Sequence, residues 1–206
     1  MKTLVVAGTG TGVGKTLISA ILVKALKADY WKPIQSGDLE NSDSHTVQKL
    51  VDDDTVIHPE TYRLKNPLSP HRAAEMEGLE IDPAQIKIPH TSNHLIIELA
   101  GGLMVPLNKR TLNIDLLEKW QSPVVLVSQN YLGSINHTLL SVASLKKYNV
   151  PLAGIIFNGE ENSSTENFIL EYCSVRCLGK IRTLHTVTPG IVNGLAATLL
   201  PNLDKI

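Results

Sequence analysis

Thiols are scarce in this 206-residue sequence, which holds only Cys173 and Cys177. Two cysteines do not make a disulfide framework, and no second pair completes a zinc site. They read as incidental thiols of a reducing compartment. An excess of one charge is also missing: 19 Lys and Arg stand against 20 Asp and Glu, a net charge of −1. The basic balance of a nucleic-acid binder is therefore absent, as is a long acidic run. No apolar run is long enough to span a membrane, and the short one after Lys2 leads into a helix start rather than a cleavage site. Neither nucleic acid nor membrane is expected as a partner, and a cytoplasmic location is. Internal repeats, low-complexity tracts and linkers are missing too, so residues 1–206 are expected to form one domain.

Apolar residues make up 43% and charged residues 19%, the balance of a globular chain with a real core. Short apolar runs alternate with longer amphipathic ones, the pattern of βα units around a mostly parallel sheet with helices on both faces. Strands are predicted over Leu4–Ala7, Leu95–Leu99, Val124–Val127 and Gly154–Phe157, each nearly continuous in apolar residues, as a strand covered on both faces requires. Helices are predicted over Lys15–Leu26, Asn113–Trp120, Ser134–Tyr148, Ser163–Tyr172 and Gly190–Leu200, with Asn113 and Ser134 as N-caps. Residues 31 to 92 carry six prolines and read as loops with short helices laid over the sheet.

The first strand runs into Gly8-Thr9-Gly10-Thr11-Gly12-Val13-Gly14-Lys15-Thr16. Glycines let backbone N–H groups turn toward a phosphate, and the following helix adds the positive end of its dipole. Gly12, Val13, Gly14, Lys15 and Thr16 are thus candidates to hold ATP, with Lys15 reaching the outer phosphates and the Thr16 hydroxyl a ligand for Mg2+. The regular phosphate loop has glycine where this chain has Thr9, and here five residues separate Gly8 from Gly14. Strand before and helix after make the signal strong. The expected fold class is accordingly a P-loop NTPase, although the loop alone indicates a nucleotide and not a reaction.

Mg2+ takes hard oxygen ligands, commonly one or two carboxylates besides phosphate. Glu98 sits at the carboxyl end of a buried strand, where ligands bind in open α/β sheets. Asp43, in Asn41-Ser42-Asp43-Ser44, suits a helix cap as well as a metal, and Lys32 on its own reads as any lysine near a short apolar piece. His71 reads as structural. His90 and His94 have helical spacing, but Pro89 and the strand that follows argue against a metal pair.

Taken in order, these segments resemble the dethiobiotin synthetase family. The resemblance rests on the loop from Gly8 to Thr16, Lys32-Pro33-Ile34-Gln35-Ser36-Gly37, Asn41-Ser42-Asp43, Ser69-Pro70-His71 and Glu98-Leu99-Ala100-Gly101-Gly102. It continues through Gly133-Ser134-Ile135-Asn136-His137, Leu152-Ala153-Gly154-Ile155-Ile156-Phe157-Asn158 and Leu178-Gly179-Lys180-Ile181. It implies an ATP-dependent ligase that joins CO2 to 7,8-diaminononanoate through a carbamate and its mixed anhydride with phosphate, closing a cyclic urea. Lys32, Lys15 and Thr11 would then be catalytic, and Thr16, Asp43 and Glu98 would hold Mg2+. Ser36 and Thr11 would meet the carbamate or diamine end of the substrate, and Pro106 would also contact substrate. Gly133, Ser134, Ile135 and Asn136 of a second subunit would take its carboxylate, implying a homodimer. Asn158, Leu178 and Gly179 would form the base pocket.

Three positions depart from the family pattern: Gly10 and Gly12 stand where acidic residues are common, and Leu99 replaces a common glycine. A partition-type switch ATPase is the alternative, but it carries a second lysine early in the loop, where this chain has Gly10. A related amide-forming ATPase of corrin synthesis needs a glutamine-splitting domain for which 206 residues leave no room.

Overall fold

The structure, a computed structural model, describes residues 1–203. Among the described residues there are nine strands: β1 Thr3–Gly8, β2 Asp29–Trp31, β3 Ile34–Ser36, β4 Ile57–His58, β5 Tyr62–Leu64, β6 Leu95–Gly102, β7 Val124–Gln129, β8 Leu152–Asn158 and β9 Cys177–Ile181. Seven form one sheet in the order β4-β2-β6-β1-β7-β8-β9, and every pair in it is parallel. The α-helices of the described residues are α1 Lys15–Leu26, α2 Asp43–Leu50, α3 Pro70–Met76, α4 Asn113–Trp120, α5 Ser134–Lys147, α6 Ser163–Cys173 and α7 Pro189–Leu203.

Alternation along the strands separates the core into two layers. Leu4, Val6, Ile96, Val125, Val127, Ile156 and Leu178 face α1, α2 and α7. Val5, Ala7, Leu95, Ile97 and Leu99 face α3 and α4, while Leu126, Ile155 and Phe157 face α5 and α6. Because both faces are covered, the strands read as unbroken apolar runs. Each fully buried Val, Leu or Ile contributes about 1.5–3 kcal/mol.

Two caps differ from expectation. Gly133, with φ of 99°, precedes α5, and Ser134 is its first helical residue. At α4 the residue before the helix is Leu112, whose N–H donates to Asp115 Oδ2 at 2.7 Å. Asn113 instead donates its side-chain amide to the Ala100 and Gly102 carbonyls, at 2.7 and 2.9 Å. That bond ties α4 to the end of β6 beside the phosphate loop. The proline-rich stretch holds more than loops and helices: β3 and β5 form a separate two-stranded parallel sheet, and β4 extends the edge of the main one. No helix among the described residues is long and apolar enough to cross a membrane.

Candidate active site

β1 lies in the middle of the sheet, so the loop that follows it opens at the carboxyl ends of the strands. Gly12 and Gly14 adopt φ of 77° and 94°, which glycine tolerates without strain. Gly14 precedes α1 without any side-chain cap, which leaves N–H groups of the first turn for a ligand. Asn158 braces this turn from behind, donating to the Val13 carbonyl at 3.0 Å, and a Cβ on Gly14 would collide with its amide.

A cavity of about 700 Å³ lies over the loop, lined by Thr11, Gly12, Gly14, Lys15 and Thr16 and by Lys32, Ser36, Asp43 and Glu98. Residues from four separate stretches of chain therefore meet in one space. Glu98, only 1% exposed, is at its centre. Its Oε1 accepts from Thr16 Oγ1 at 3.0 Å and from Lys32 Nζ at 3.1 Å, and its Oε2 accepts from the Tyr30 hydroxyl at 2.9 Å. Lys32 Nζ also forms an ion pair with Asp43.

The capping role that competes with a metal role for Asp43 is taken by its neighbour. Ser42 caps α2, accepting from the His45 N–H at 3.3 Å, and the Asp43 side chain turns to Lys32. Gln35 steers it there: its Oε1 accepts from the Asp43 N–H at 3.3 Å while its Nε2 donates to the Gly37 carbonyl at 2.9 Å. Neither Gln35 nor Tyr30 stood out in the sequence as a separate functional residue. Tyr30 carries no local signal, whereas Gln35 lies inside the Lys32-Pro33-Ile34-Gln35-Ser36-Gly37 segment, where sequence alone gives it no role.

Charge is distributed unevenly across the cavity. Burial works against the Lys32 ammonium, but Glu98 and Asp43 outweigh it and raise its pKa, so it stays charged. Asp43 shows the converse: burial works against the carboxylate, yet Lys32 and the Thr16 hydroxyl hold its pKa below the usual value. Burial pushes the Lys15 ammonium down; Glu98 and Asp43 pull it back, and Lys32 adds to the lowering. Lys15 Nζ folds onto the Gly10 carbonyl at 3.0 Å. Burial and the nearby Glu98 raise the Tyr30 phenol well above its ordinary value and keep it a donor.

The donor set suits Mg2+. Thr16, Asp43 and Glu98 offer hard oxygens and no sulfur or imidazole, as that ion prefers. Among the described residues no three His, Cys, Asp or Glu side chains gather as a closed metal site. Ser36 Oγ, on the cavity wall, is buried without a partner, which is a position for a ligand's polar group. Pro106 is not among the lining residues, although its neighbour Val105 is, and its carbonyl accepts from the His71 N–H at 3.2 Å. The His71 ring is bonded to Ser69 Oγ at 3.0 Å. His94 accepts from the Lys2 N–H at 2.8 Å.

Two groups of expected residues lie apart from this cavity. Gly133, Ser134, Ile135 and Asn136 line a separate groove of about 740 Å³ with Asn130, Glu160 and Glu161. The Ser134 N–H is already bonded to the Tyr131 carbonyl at 2.9 Å, so Ile135 and Asn136 hold the helix start's free N–H groups. Leu178 and Gly179 also lie outside this cavity. Leu178 is wholly buried in the core, and the space a Cβ on Gly179 would need is filled by Leu199. Along the β8–β9 ladder the residue opposite Asn158 is Ile181, two positions farther on.

Residues 2–190 match the family described as an AAA domain. The archaeal cell-division ATPase MinD of Pyrococcus furiosus superposes with a TM-score of 0.62, covering 100% of this chain and 99% of that one at 14% identity. A ParA-family ATPase from Chlorobium tepidum gives 0.57, over 99% of this chain and 92% of that one at 16% identity. At such identity the likeness concerns the fold alone. Sequence relatives are much nearer. A protein of Christiangramia forsetii is 52% identical over 87% of each chain, and one of Cytophaga hutchinsonii is 46% identical over 98% of each. A third, from Rhodopseudomonas palustris, is 44% identical over 96% of this chain and 94% of its own. All three bear the name ATP-dependent dethiobiotin synthetase BioD. Identity of this depth over nearly the whole length is common descent and not merely common architecture: the chain belongs to the ATP-dependent dethiobiotin synthetase family.

Proposed function

We infer that the chain is an ATP-dependent dethiobiotin synthetase, a ligase that closes a cyclic urea on 7,8-diaminononanoate with CO2. One observation carries the reading: two ammonium groups, two carboxylates and a threonine hydroxyl converge over a phosphate loop in a single cavity. A carbamate formed on one amine is an anion, and so is the γ-phosphate it must receive. Their approach needs fixed positive charge. Lys15 supplies it by turning from the Gly10 carbonyl to the outer phosphates. Lys32, locked between Glu98 and Asp43, supplies the rest. Mg2+ held by Thr16, Asp43 and Glu98 would neutralise charge on the phosphate oxygens. Thr11 and the unpartnered Ser36 hydroxyl offer hydrogen bonds to the carbamate and the diamine, and Pro106, next to the cavity-lining Val105, is proposed to contact substrate as well. The carbamate oxygen takes the phosphoryl group from ATP and ADP leaves. The second amine then attacks the carbonyl carbon, the C–O bond to phosphate breaks, and a proton is lost as the ring closes.

The carboxylate of the substrate is proposed to reach Gly133, Ser134, Ile135 and Asn136 of a second copy of the chain. The free N–H groups of Ile135 and Asn136 and the fully exposed Leu132 beside them support this reading. A cytoplasmic homodimer, each protomer a single domain, is the form it implies. Phosphate release from ATP and Mg2+ with bicarbonate, with and without the diamine, tests the assignment. Release that depends on the diamine is expected; release indifferent to it would return the chain to the switch ATPases that share its fold.

A further inference from the structure

Glu98 has two oxygens with different surroundings, and the strand register explains why. β2 runs parallel to β6 with Tyr30 opposite Ile96 and Trp31 opposite Ile97, so Lys32 falls opposite Glu98 one residue on. Side chains two apart share a face. Tyr30, Lys32, Ile96 and Glu98 accordingly all point toward α1, where Thr16 lies. Lys32 meets Glu98 directly. Tyr30, one pair earlier, reaches it on the diagonal, as a long aromatic side chain can.

The two oxygens are divided by this arrangement. Oε1 takes the donors that line the cavity, Thr16 and Lys32. Oε2 takes the Tyr30 hydroxyl, which belongs to a fully buried residue of the apolar core and lines no part of the cavity. A buried carboxylate oxygen without a donor is strongly disfavoured, so the phenol fixes the rotation of the carboxylate about its last bond.

We infer that Tyr30 is a positioning residue for the metal end of the nucleotide site: by engaging Oε2 within the core, it makes Glu98 present one oxygen only, Oε1. This rests on the reading of Thr16, Asp43 and Glu98 as metal ligands. A single carboxylate oxygen suits Mg2+, which demands compact octahedral geometry, whereas Ca2+ accepts two oxygens of one carboxylate. Donors behind ligating carboxylates tune metal affinity, typically by about 10–100-fold.

The test is the Tyr30→Phe variant, which keeps the buried ring and removes the hydroxyl. Mn2+, a paramagnetic stand-in for Mg2+, is titrated by electron paramagnetic resonance in the presence of ADP. Metal affinity should fall about tenfold, with ADP affinity in chelator unchanged and the preference for Mg2+ over Ca2+ reduced. A purely structural role would lower Tm and leave these metal readouts in place, and that result would overturn the inference. If the unaltered protein bound no Mn2+ with ADP, the metal assignment itself would fall, and this inference with it. Binding kept equally by both proteins would remove only the role of Tyr30. Infrared difference spectra of the unaltered protein, with and without Mg2+ in the ADP complex, address the point without a variant. A one-oxygen carboxylate shift supports the inference and a two-oxygen shift overturns it.

Discussion

Replacing Lys32 by Met keeps the stem of the side chain and removes the charge that holds the two carboxylates. The ammonium lies 3.1 Å from Glu98 Oε1, and at an effective dielectric of about 20 their attraction is about 5 kcal/mol. Asp43 contributes less, because it is 35% exposed and screened by water. Against this stand the removal of a buried cation and the two donors that Glu98 retains, Thr16 and Tyr30. A net loss of about 3 kcal/mol at neutral pH is expected, the scale of a buried pair broken from one side. In a chain of this length that lowers Tm by about 6–12 °C. The pH dependence adds a sign. The Asp43 pKa lies below its ordinary 3.8, so its share of stability is present above that pH and is lost as pH falls through the folded value. The Lys32 pKa lies above its ordinary 10.5, so its share is present below that pH and is lost as pH rises through the folded value. Urea unfolding of both proteins across this range should give curves separated by a plateau that narrows toward both ends. A variant as stable as the parent at pH 7, or a gap that widens in acid, would refute the reasoning.

Lys15→Ala should abolish diamine-dependent phosphate release while circular dichroism and Tm stay near the parent values; near-normal turnover would defeat the role of the loop. Gly14→Ala forces a side chain into a left-handed turn and against Asn158, so ADP affinity measured by calorimetry should drop at least about tenfold, with about 1–3 kcal/mol lost in stability. Ser134→Pro, or Asn136→Trp, should raise the KM of the diamine more than that of ATP; equal effects would argue against a carboxylate site at the start of α5. Mixing Lys15→Ala with Asn136→Trp protomers should restore up to about a quarter of the activity if each site draws on two subunits, and none if each protomer works alone.

The central fold was legible because its strands are covered on both faces, so their composition alone separates them from the helices. The helix Lys15–Leu26 and the strand ending at Glu98 follow from the same logic. β2 was not legible: three residues, Asp29-Tyr30-Trp31, carry no period, and they form a strand only because β6 and β4 pair with them. The part of Tyr30 in the site depends on that pairing and on nothing local. Caps misled for a related reason. Asn113 is a good capping residue in isolation, but the β6 carbonyls compete for its amide and hold it. The register of β9 is not legible locally either. A motif signals the strand, but which residue of it stands beside Asn158 depends on the ladder with β8.

The most direct measurement is a single-turnover reaction with 13C-bicarbonate, ATP, Mg2+ and 7,8-diaminononanoate, following phosphate and product mass together. One phosphate should appear for each cyclic urea, and the urea should carry the 13C label. Phosphate released without labelled urea, or at the same rate when the diamine is withheld, would contradict the assignment of this site to urea closure.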